Sequence, residues 1–346
     1  MPMIQTVNGP VGPDSIGVTL MHEHLMFGIP GWDLDPTFNL DRAGALIKVV
    51  EELRALMRAG GRLVVDVTPI ASGRDVDFLV RASRAAEVPI VACTGLWNQT
   101  GMPGIFQRKS ADDLEEIFVR ELTRGMGTTN VRAGIIKVGT AGEHMVEMEH
   151  RLFQAAARAA KRTGAAVTTH VSSNLPSPVG VISGREQMKV LLEEEGMDPS
   201  RVIIGHCDAT HFPDYHLEVV KAGAYAEFDH ICDEEGAAYS LPDEVRLPWI
   251  LALLEKGYER QILFSTDRIS QRLSAGGGQR FTFASILTKF LPMLRKAGVG
   301  EKTIHTIMVE NPRRVLPMPD VVVNAAAPAR ESQEEWQEGE PTGEDL

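Results

Sequence analysis

The sequence has few cysteines and no long apolar run. Its 346 residues include three cysteines, Cys93, Cys207 and Cys232, and none of them forms a Cys-x-x-Cys pair. This usage argues against a disulfide framework and a zinc ribbon, so we expect reduced thiols in a cytoplasmic protein. No stretch approaches the ~18 uninterrupted apolar residues of a membrane-spanning helix, and no basic segment followed by an apolar run opens the chain. We therefore expect neither a membrane partner nor a signal segment.

A basic patch is also missing. The formal net charge is −12, and residues 331–346 alone hold seven acids and no Lys or Arg. Because nucleic acids and anionic membranes are bound through clusters of Lys and Arg, this pattern argues against both as partners. A small neutral or polar molecule is the partner that the composition favours.

No Gly-x-Gly-x-x-Gly follows the first apolar run, which argues against the alternative of a doubly wound open sheet. Eight apolar strand-like runs alternate with amphipathic helical patterns, at 17–20, 63–67, 90–93, 133–137, 166–170, 202–206, 225–228 and 262–265. Strands without a polar face are typical of a parallel sheet that helices cover. Eight such units predict an α/β fold of the (β/α)8 TIM-barrel type.

We expect a single domain over residues 1–318. Residues 3–16 are punctuated by Gly and Pro and are predicted to form a short hairpin before the first core strand. Residues 319–346 join an Ala-rich stretch to the acidic run and have little apolar surface to bury. They are therefore predicted to form a disordered tail.

Two histidines, His22 and His24, follow the first strand-like run. Residues i and i+2 of an extended strand project from the same side, so both imidazoles aim at one point. An isolated His-x-His can equally be one buried and one solvated histidine. Here, however, further candidate ligands end later strand-like runs: Lys137, His170, His206 and Asp267. Taken singly, each histidine has a structural role open to it and Asp267 could cap a helix, but together at one end of a barrel they predict a metal centre.

Lys137 is the unusual member of this set. An unpaired ammonium at the inward end of a strand would repel metal ions and be costly to desolvate. One interpretation is an ion pair with Asp or Glu. The other is a lysine carboxylated by carbon dioxide, whose anionic carbamate bridges two metals. Two divalent ions contribute +4, so a carbamate, Asp267 and a bridging hydroxide would bring the centre to +1.

Several short motifs surround these residues. They are His22-Glu23-His24, Gly73-Arg74-Asp75, Gly134-Ile135-Ile136-Lys137, Thr169-His170, Ile204-Gly205-His206-Cys207-Asp208, Phe228-Asp229-His230-Ile231, Ser265-Thr266-Asp267 and Glu310-Asn311-Pro312. This set resembles the phosphotriesterase family of the amidohydrolase superfamily over residues 4–316. The resemblance implies a barrel with a binuclear site, usually zinc, with Co2+, Mn2+ or Fe2+ as alternatives. One metal would be held by His22, His24 and Asp267, the other by His170 and His206, with carboxylated Lys137 and a hydroxide between them.

The resemblance also implies hydrolysis of an ester bond by attack of the bridging hydroxide. Asp267 would accept the proton, and His230 would pass it outward or else form a pocket wall. In the family a second carboxylate follows the strand-6 histidine three positions on, but Ala209 stands there, which leaves Asp208 as the nearby acid. A cyclic-amide hydrolase and a barrel that binds a small molecule without turning it over are the alternatives.

The substrate stays open between a phosphotriester and a lactone. Trp97 is similar to the aromatic wall of phosphotriesterases, and His230 stands where lactonase relatives usually carry Arg, whereas a short strand-7 loop over 231–245 favours the lactonases. Arg268 is predicted either to bind an anionic substrate group or to be a solvated loop residue. A homodimer is usual for the family.

Overall fold

A computed structural model describes residues 1–171, 179–209, 212–233, 241–273 and 279–319. The chain begins with an antiparallel hairpin of β1 (Ile4–Thr6) and β2 (Gly9–Val11), which confirms the hairpin predicted within 3–16. Met3 pairs with Met318 beside it, so the two ends of the described chain lie together. The predicted tail lies outside the described residues from 320 onward, as does the part of the strand-7 loop over 234–240.

Within the described residues, nine parallel strands form the main sheet. They are β3 (Val18–Phe27), β4 (Gly61–Asp66), β5 (Ile90–Gly95), β6 (Ile135–Gly139), β7 (Val167–His170), β8 (Val202–Ile204), β9 (Tyr225–Phe228), β10 (Ile262–Phe264) and β11 (Ile269–Arg272). From β3 to β10 each strand pairs with the next in sequence, and β11 pairs with the far end of β3. The eight predicted strands are confirmed, and β11 is an addition that the sequence pattern did not indicate.

The sheet curls until the chain beyond β10 meets β3. Asp267 donates its backbone N–H to the carbonyl of His22 at 3.1 Å, and His24 donates to the carbonyl of Arg268 at 2.9 Å. Apolar side chains from successive strands fill the interior, among them Met21, Leu63, Cys93, Ile135, Ile203 and Leu263. A parallel, curled sheet with a packed interior fits a TIM-type barrel.

Helices follow the strands along the chain. They are α1 (Arg42–Ala59), α2 (Val76–Ala86), α3 (Gly104–Gln107), α4 (Ala111–Thr123), α5 (Glu147–Thr163), α6 (Val179–Met188), α7 (Pro213–Lys221), α8 (Asp243–Glu255), α9 (Leu291–Lys296), α10 (Glu301–His305) and α11 (Asn311–Val315). Their apolar faces pack on the outer side of the sheet, for example through Leu53, Phe118 and Phe153. No helix in the described ranges has both the length and the apolar character needed to cross a lipid bilayer.

Local sequence signals explain most helix boundaries. Asp41 and Asp75 cap α1 and α2 by accepting the N–H groups of residues three positions on, each at 2.9 Å. Gly164 ends α5 with a φ of 76°, a left-handed conformation that suits glycine. The helix α6 is less regular, because it begins at Val179 and continues into a π-helical segment, Lys189–Glu194. Two glycines in its first turns interrupt the apolar period there.

Candidate metal centre

Six polar side chains meet at the carboxyl end of the parallel strands. His22 and His24 come from β3, Lys137 from β6, His170 from the last residue of β7, and His206 and Asp267 from the turns after β8 and β10. All six line one cavity of about 330 Å³. The structure thus places together the residues that the sequence singled out as metal ligands.

An irregularity in β3 helps to aim its two histidines. Leu20 pairs with Val64 and Glu23 pairs with Asp66, so three steps along β3 match two along β4. A bulge of this kind bends a strand and redirects its side chains, and it is frequent beside active sites. It accounts for the presence of both Met21 and His22 on the interior side of the strand.

The Nδ1 nitrogen of His24, which faces away from the cavity, forms a hydrogen bond to an acceptor. The Thr68 hydroxyl donates to the Met26 carbonyl at 3.0 Å, so its oxygen accepts from His24 Nδ1–H at 2.8 Å. This contact fixes the tautomer of the neutral ring and leaves the lone pair of Nε2 directed toward the cavity.

The buried carboxylates of Asp229 and Glu227 orient the rings of His22 and His206 in the same way. Asp229 Oδ1 lies 2.8 Å from His206 Nδ1, and its Oδ2 lies 2.9 Å from His22 Nδ1. Glu227 Oε2 also lies 2.9 Å from His22 Nδ1. Sequence reasoning gave neither acid a role, although a glutamate inside the buried strand β9 was itself a signal.

These carboxylates affect the protonation of both rings. Burial and Lys137 oppose the effect, but Asp229 and Glu227 raise the pKa of His22 to about 9, so a metal there must displace a proton. Burial lowers the pKa of His206 to about 4 despite its contact with Asp229. Burial and His206 likewise hold the pKa of His170 well below its ordinary value. The last two rings are therefore neutral, the form that binds metals.

Lys137 is buried, with 2% of its surface exposed. Its Nζ lies 2.9 Å from His22 Nε2 and donates to the Thr169 carbonyl at 3.0 Å. Among the described residues, no carboxylate forms an ion pair with Lys137. The interpretation of this lysine as an ion-pair partner of Asp or Glu therefore finds no support there. Burial lowers the pKa of Lys137, which favours the neutral amine, the form that reacts with carbon dioxide.

His170 and His206 face each other across the cavity floor. His170 Nδ1 lies 2.6 Å from His206 Nε2, and the two rings are nearly perpendicular. The ligand atoms of His22, His24 and Asp267 form a second group, all within 4.8 Å of one another. Imidazole nitrogens with a carboxylate oxygen are donors that suit zinc and neighbouring divalent metals. The donor set therefore fits metal binding.

Glu23 points away from the cavity and holds the turn that carries Asp267. Its carboxylate accepts from the Ser265 hydroxyl at 2.9 Å and from the N–H groups of Thr266 and Arg268 at 3.0 and 2.8 Å. Asp267 has a φ of 47°, and His206 has a φ of 55°. Such left-handed conformations are strained for residues other than glycine and persist where their surroundings hold them, as at active sites.

Asp267, His230 and Asp208 form a continuous polar line. Asp267 Oδ2 lies 3.4 Å from His230 Nε2, and His230 Nδ1 lies 3.4 Å from Asp208 Oδ1. Asp208 also accepts from the backbone N–H of His230 at 2.9 Å and from Arg246 Nε at 3.0 Å. Although burial opposes it, hydrogen bonds to Asp208 and Asp267 raise the pKa of His230 well above its ordinary value. Asp208 thus lies where it can replace the acid absent at Ala209.

The cavity wall is aromatic on one side. Trp97 lies edge-on to Phe27 and His170, with ring centroids 5.4 and 5.5 Å apart. This places Trp97 in the pocket wall predicted from the sequence. His230 lies behind the floor, with its ring stacked on His206 at 4.7 Å.

Arg268 points elsewhere. Its guanidinium pairs with Glu52 at 2.8 and 3.1 Å, lies over the ring of Phe281, and leaves only 8% of the residue exposed. It is neither a solvated loop residue nor part of the cavity lining, where Arg272 of β11 lies instead. The apolar pattern does not predict β11, so nothing in the sequence singles out Arg272.

Known proteins resemble this chain over nearly its whole length. A model of the phosphotriesterase family matches residues 2–316. The phosphotriesterase homology protein of Escherichia coli K12 is 33% identical over 302 residues, covering 86% of this chain and 97% of that protein. The N-acetyltaurine hydrolase of Dictyostelium discoideum is 30% identical and covers 77% of this chain and 72% of its own. A mutant of the PTE-like lactonase from Deinococcus radiodurans has a TM-score of 0.84 at 31% identity, covering 90% and 99% of the two chains.

Proposed function

Because the chain belongs to the phosphotriesterase family, and so to the hydrolases of ester bonds, we propose that it is a binuclear metal enzyme acting on a phosphotriester or a lactone. The observation that carries the proposal is the set of fixed ring orientations. Acceptors hold the Nδ1–H of His22, His24 and His206, so their three Nε2 atoms aim into one cavity. Nitrogens oriented toward one point form a donor set for a metal ion, which displaces the proton held by His22 when it binds.

We assign the ligands as follows. His22, His24 and Asp267 hold one metal, His170 and His206 hold the other, and Lys137 bridges them as a carbamate within a closed (β/α)8 barrel. The proposal is supported by the convergence of these side chains and by the neutral state that burial favours for Lys137. Six ligands exceed the four of one tetrahedral ion, which supports two metals. Zn2+ suits the nitrogen and oxygen donors best, with Co2+, Mn2+ or Fe2+ as alternatives.

Bound metals would supply a hydroxide near neutral pH and polarise the oxygen under attack. Asp267 accepts the proton that is released, since its carboxylate is kept ionised against burial by hydrogen bonds from His230 and His24, which lower its pKa well below the usual range. His230, which its raised pKa keeps protonated, first donates its own proton outward and then takes the proton from Asp267, while Asp208 holds its ring in place. Trp97 and Phe27 form the wall against which an apolar part of the substrate packs.

Hydrolysis of an acyl amide is the second candidate. A relative at 30% identity is named N-acetyltaurine hydrolase, and the same ligands and relay would serve an amide carbonyl. We further propose that the substrate is a small molecule and the location cytoplasmic, in keeping with an odd number of cysteines and the lack of a Cys-x-x-Cys pair. A homodimer is proposed from the family alone.

Two measurements test the proposal. Metal analysis of protein never exposed to chelator should give two divalent metals per chain, and one or none would contradict the binuclear assignment. Fully metallated protein is then assayed with paraoxon, a panel of acyl lactones, N-acetyltaurine, hydantoin and dihydroorotate. Turnover of an ester supports the proposal, preference for N-acetyltaurine favours the second candidate, and turnover of the cyclic amides favours a wider superfamily activity. Zero turnover throughout would indicate a binding barrel.

A further inference from the structure

Arg272 lies at the mouth of the cavity on a backbone held in place. It is the last residue of β11 and pairs in register with Phe27 at the end of β3. The following residue, Leu273, donates its N–H to the Phe27 carbonyl at 2.8 Å. Arg272 therefore sits beside the aromatic wall formed by Phe27 and Trp97, on a strand that belongs to the main sheet.

The charge of Arg272 has no protein counterpart in the described part of the chain. The side chain of Arg272 is exposed and makes no hydrogen bond or ion pair to another described residue. Arg268 on the same segment is instead neutralised by Glu52. Apart from the candidate metal ligands, Arg272 is also the one charged side chain among the described residues that line the cavity. A guanidinium is always ionised and presents a planar fork of donors that matches a carboxylate or a sulfonate.

The cavity that Arg272 shares with the candidate metal ligands also has apolar lining. Ile269, Phe27, Trp97 and Ala141 contribute it, beside the amide of Asn98. A molecule that fills this cavity would carry its scissile bond at one end, an apolar stretch in the middle and an anion at the other end. A net charge of −12 would repel such an anion at a distance, so a local cation is needed to bind it.

We propose that Arg272 binds an anionic group of the substrate, so that the enzyme prefers esters or lactones carrying a carboxylate or sulfonate away from the scissile bond. This inference rests on the proposed hydrolase function and narrows its substrate class. It disfavours neutral phosphotriesters as the preferred substrates, and Arg272 acts as a specificity-determining residue.

The test compares two esters that differ only at the remote end. The p-nitrophenyl ester of pentanoic acid ends in a methyl group, and the mono-p-nitrophenyl ester of glutaric acid ends in a carboxylate. The metallated enzyme should prefer the glutarate ester in kcat/KM, and Arg272→Gln should reduce that preference about tenfold, mainly through KM. Arg272→Lys should retain part of it, Arg272→Glu should reverse it, and added salt should weaken it. Arg58→Gln, which removes an exposed arginine of α1, is the matched control and should leave the preference unchanged.

The possible outcomes distinguish the role of Arg272 from the proposed hydrolase function on which it rests. Hydrolysis of both esters without a carboxylate preference, or a preference that survives Arg272→Glu, would overturn the role of Arg272 and leave the ester hydrolase intact. Failure to hydrolyse either ester or any lactone would overturn the hydrolase proposal, and this inference with it. An equal loss on both esters in Arg272→Gln would show a structural role and also overturn the inference.

Discussion

The base and the rim of this cavity are built differently. The base consists of buried side chains such as His22, Lys137 and His206, which residues of neighbouring strands or turns hold in place, as Asp229 holds His22 and His206. The rim consists of side chains with few partners, such as Ile29, which is 58% exposed, and Arg272.

This difference teaches where chemistry and selectivity reside. A ligand whose second nitrogen is held by a buried carboxylate has one orientation, so the reaction at the base tolerates little change. A rim side chain with few partners can be replaced without disturbing that arrangement. Mutations at the base should therefore reduce metal content and rate for every substrate, while mutations at the rim, as proposed for Arg272, should change the ranking of substrates.

The largest effect is expected from Lys137→Ala. If Lys137 is an anionic bridge, its loss should deplete the metals and lower kcat/KM by about a thousandfold or more. A short carboxylic acid in excess should partly restore both, because it can occupy the same space with the same charge. Lys137→Arg should not be rescued. Metal analysis beside the kinetic assay checks this, and an alanine variant that keeps its metals and rate would show that the lysine is structural.

The next effect concerns the line from Asp267 through His230 to Asp208. With 3.4 Å contacts on both sides of His230, we expect His230→Ala and Asp208→Asn each to slow a substrate with a poor leaving group by about a hundredfold. The double variant should be no slower than either single variant, because the two act as one unit. Asp267→Asn should lose more, since it removes a ligand and a base together.

Small and additive losses from His230→Ala and Asp208→Asn would instead make His230 a wall of the pocket. Melting temperatures control for folding, because Asp208 also pairs with the buried Arg246. A substrate with a good leaving group is the second control, since its departure needs no proton and its rate should respond weakly to both variants.

The sequence predicted the parallel sheet and the meeting of polar residues at its carboxyl end. A parallel barrel translates position in a strand directly into position in space, so His22 and Asp267 could be brought together across most of the chain from periodicity alone. The sequence did not predict contacts that depend on how far and in which direction a side chain extends. Neither the contact of Asp229 with two histidines nor that of Arg268 with Glu52 follows from spacing.

The same limit explains β11 and Arg272. Residues 269–272, Ile-Ser-Gln-Arg, lack the apolar character of a core strand and pair only with the part of β3 that extends to Phe27. Because the first strand-like run is predicted over 17–20, the sequence indicates no partner strand beside Phe27. The specificity proposed for Arg272 therefore depends on a strand that the apolar pattern does not indicate.

A smaller effect on the base is expected from the carboxylates behind the histidines. Asp229→Asn should weaken metal affinity by about ten- to a hundredfold, because Asp229 holds both His22 and His206. Glu227→Gln should cost less, since it touches His22 alone among these rings. Competition with a chelator measures the difference. Equal losses would mean that the two acids act through overall charge instead of through ring orientation.

The smallest effect on the site is expected from the removal of a buried ion pair behind β5. In this pair Glu121 accepts hydrogen bonds from Arg74 at 2.6 and 2.8 Å. Burial opposes it, but Arg74 lowers the pKa of Glu121 below its ordinary value of 4.5. A carboxylate with a lowered pKa contributes stability that is present above its unfolded pKa and is lost as the pH falls through the folded pKa. Glu121→Gln should therefore lower the free energy of unfolding most near pH 7, and the two proteins should converge as the pH falls through the lowered pKa of Glu121.

Denaturant unfolding across this pH range measures the effect. Asp77→Asn is the matched control, because Asp77 pairs with Arg42 on an exposed surface and such pairs contribute little. Metal content and kcat/KM of Glu121→Gln should stay close to those of the parent, since the pair touches no candidate ligand. A loss of metal in this variant would show that the buried charges of the barrel are coupled, and the base of the site would then extend further than the side chains that line it.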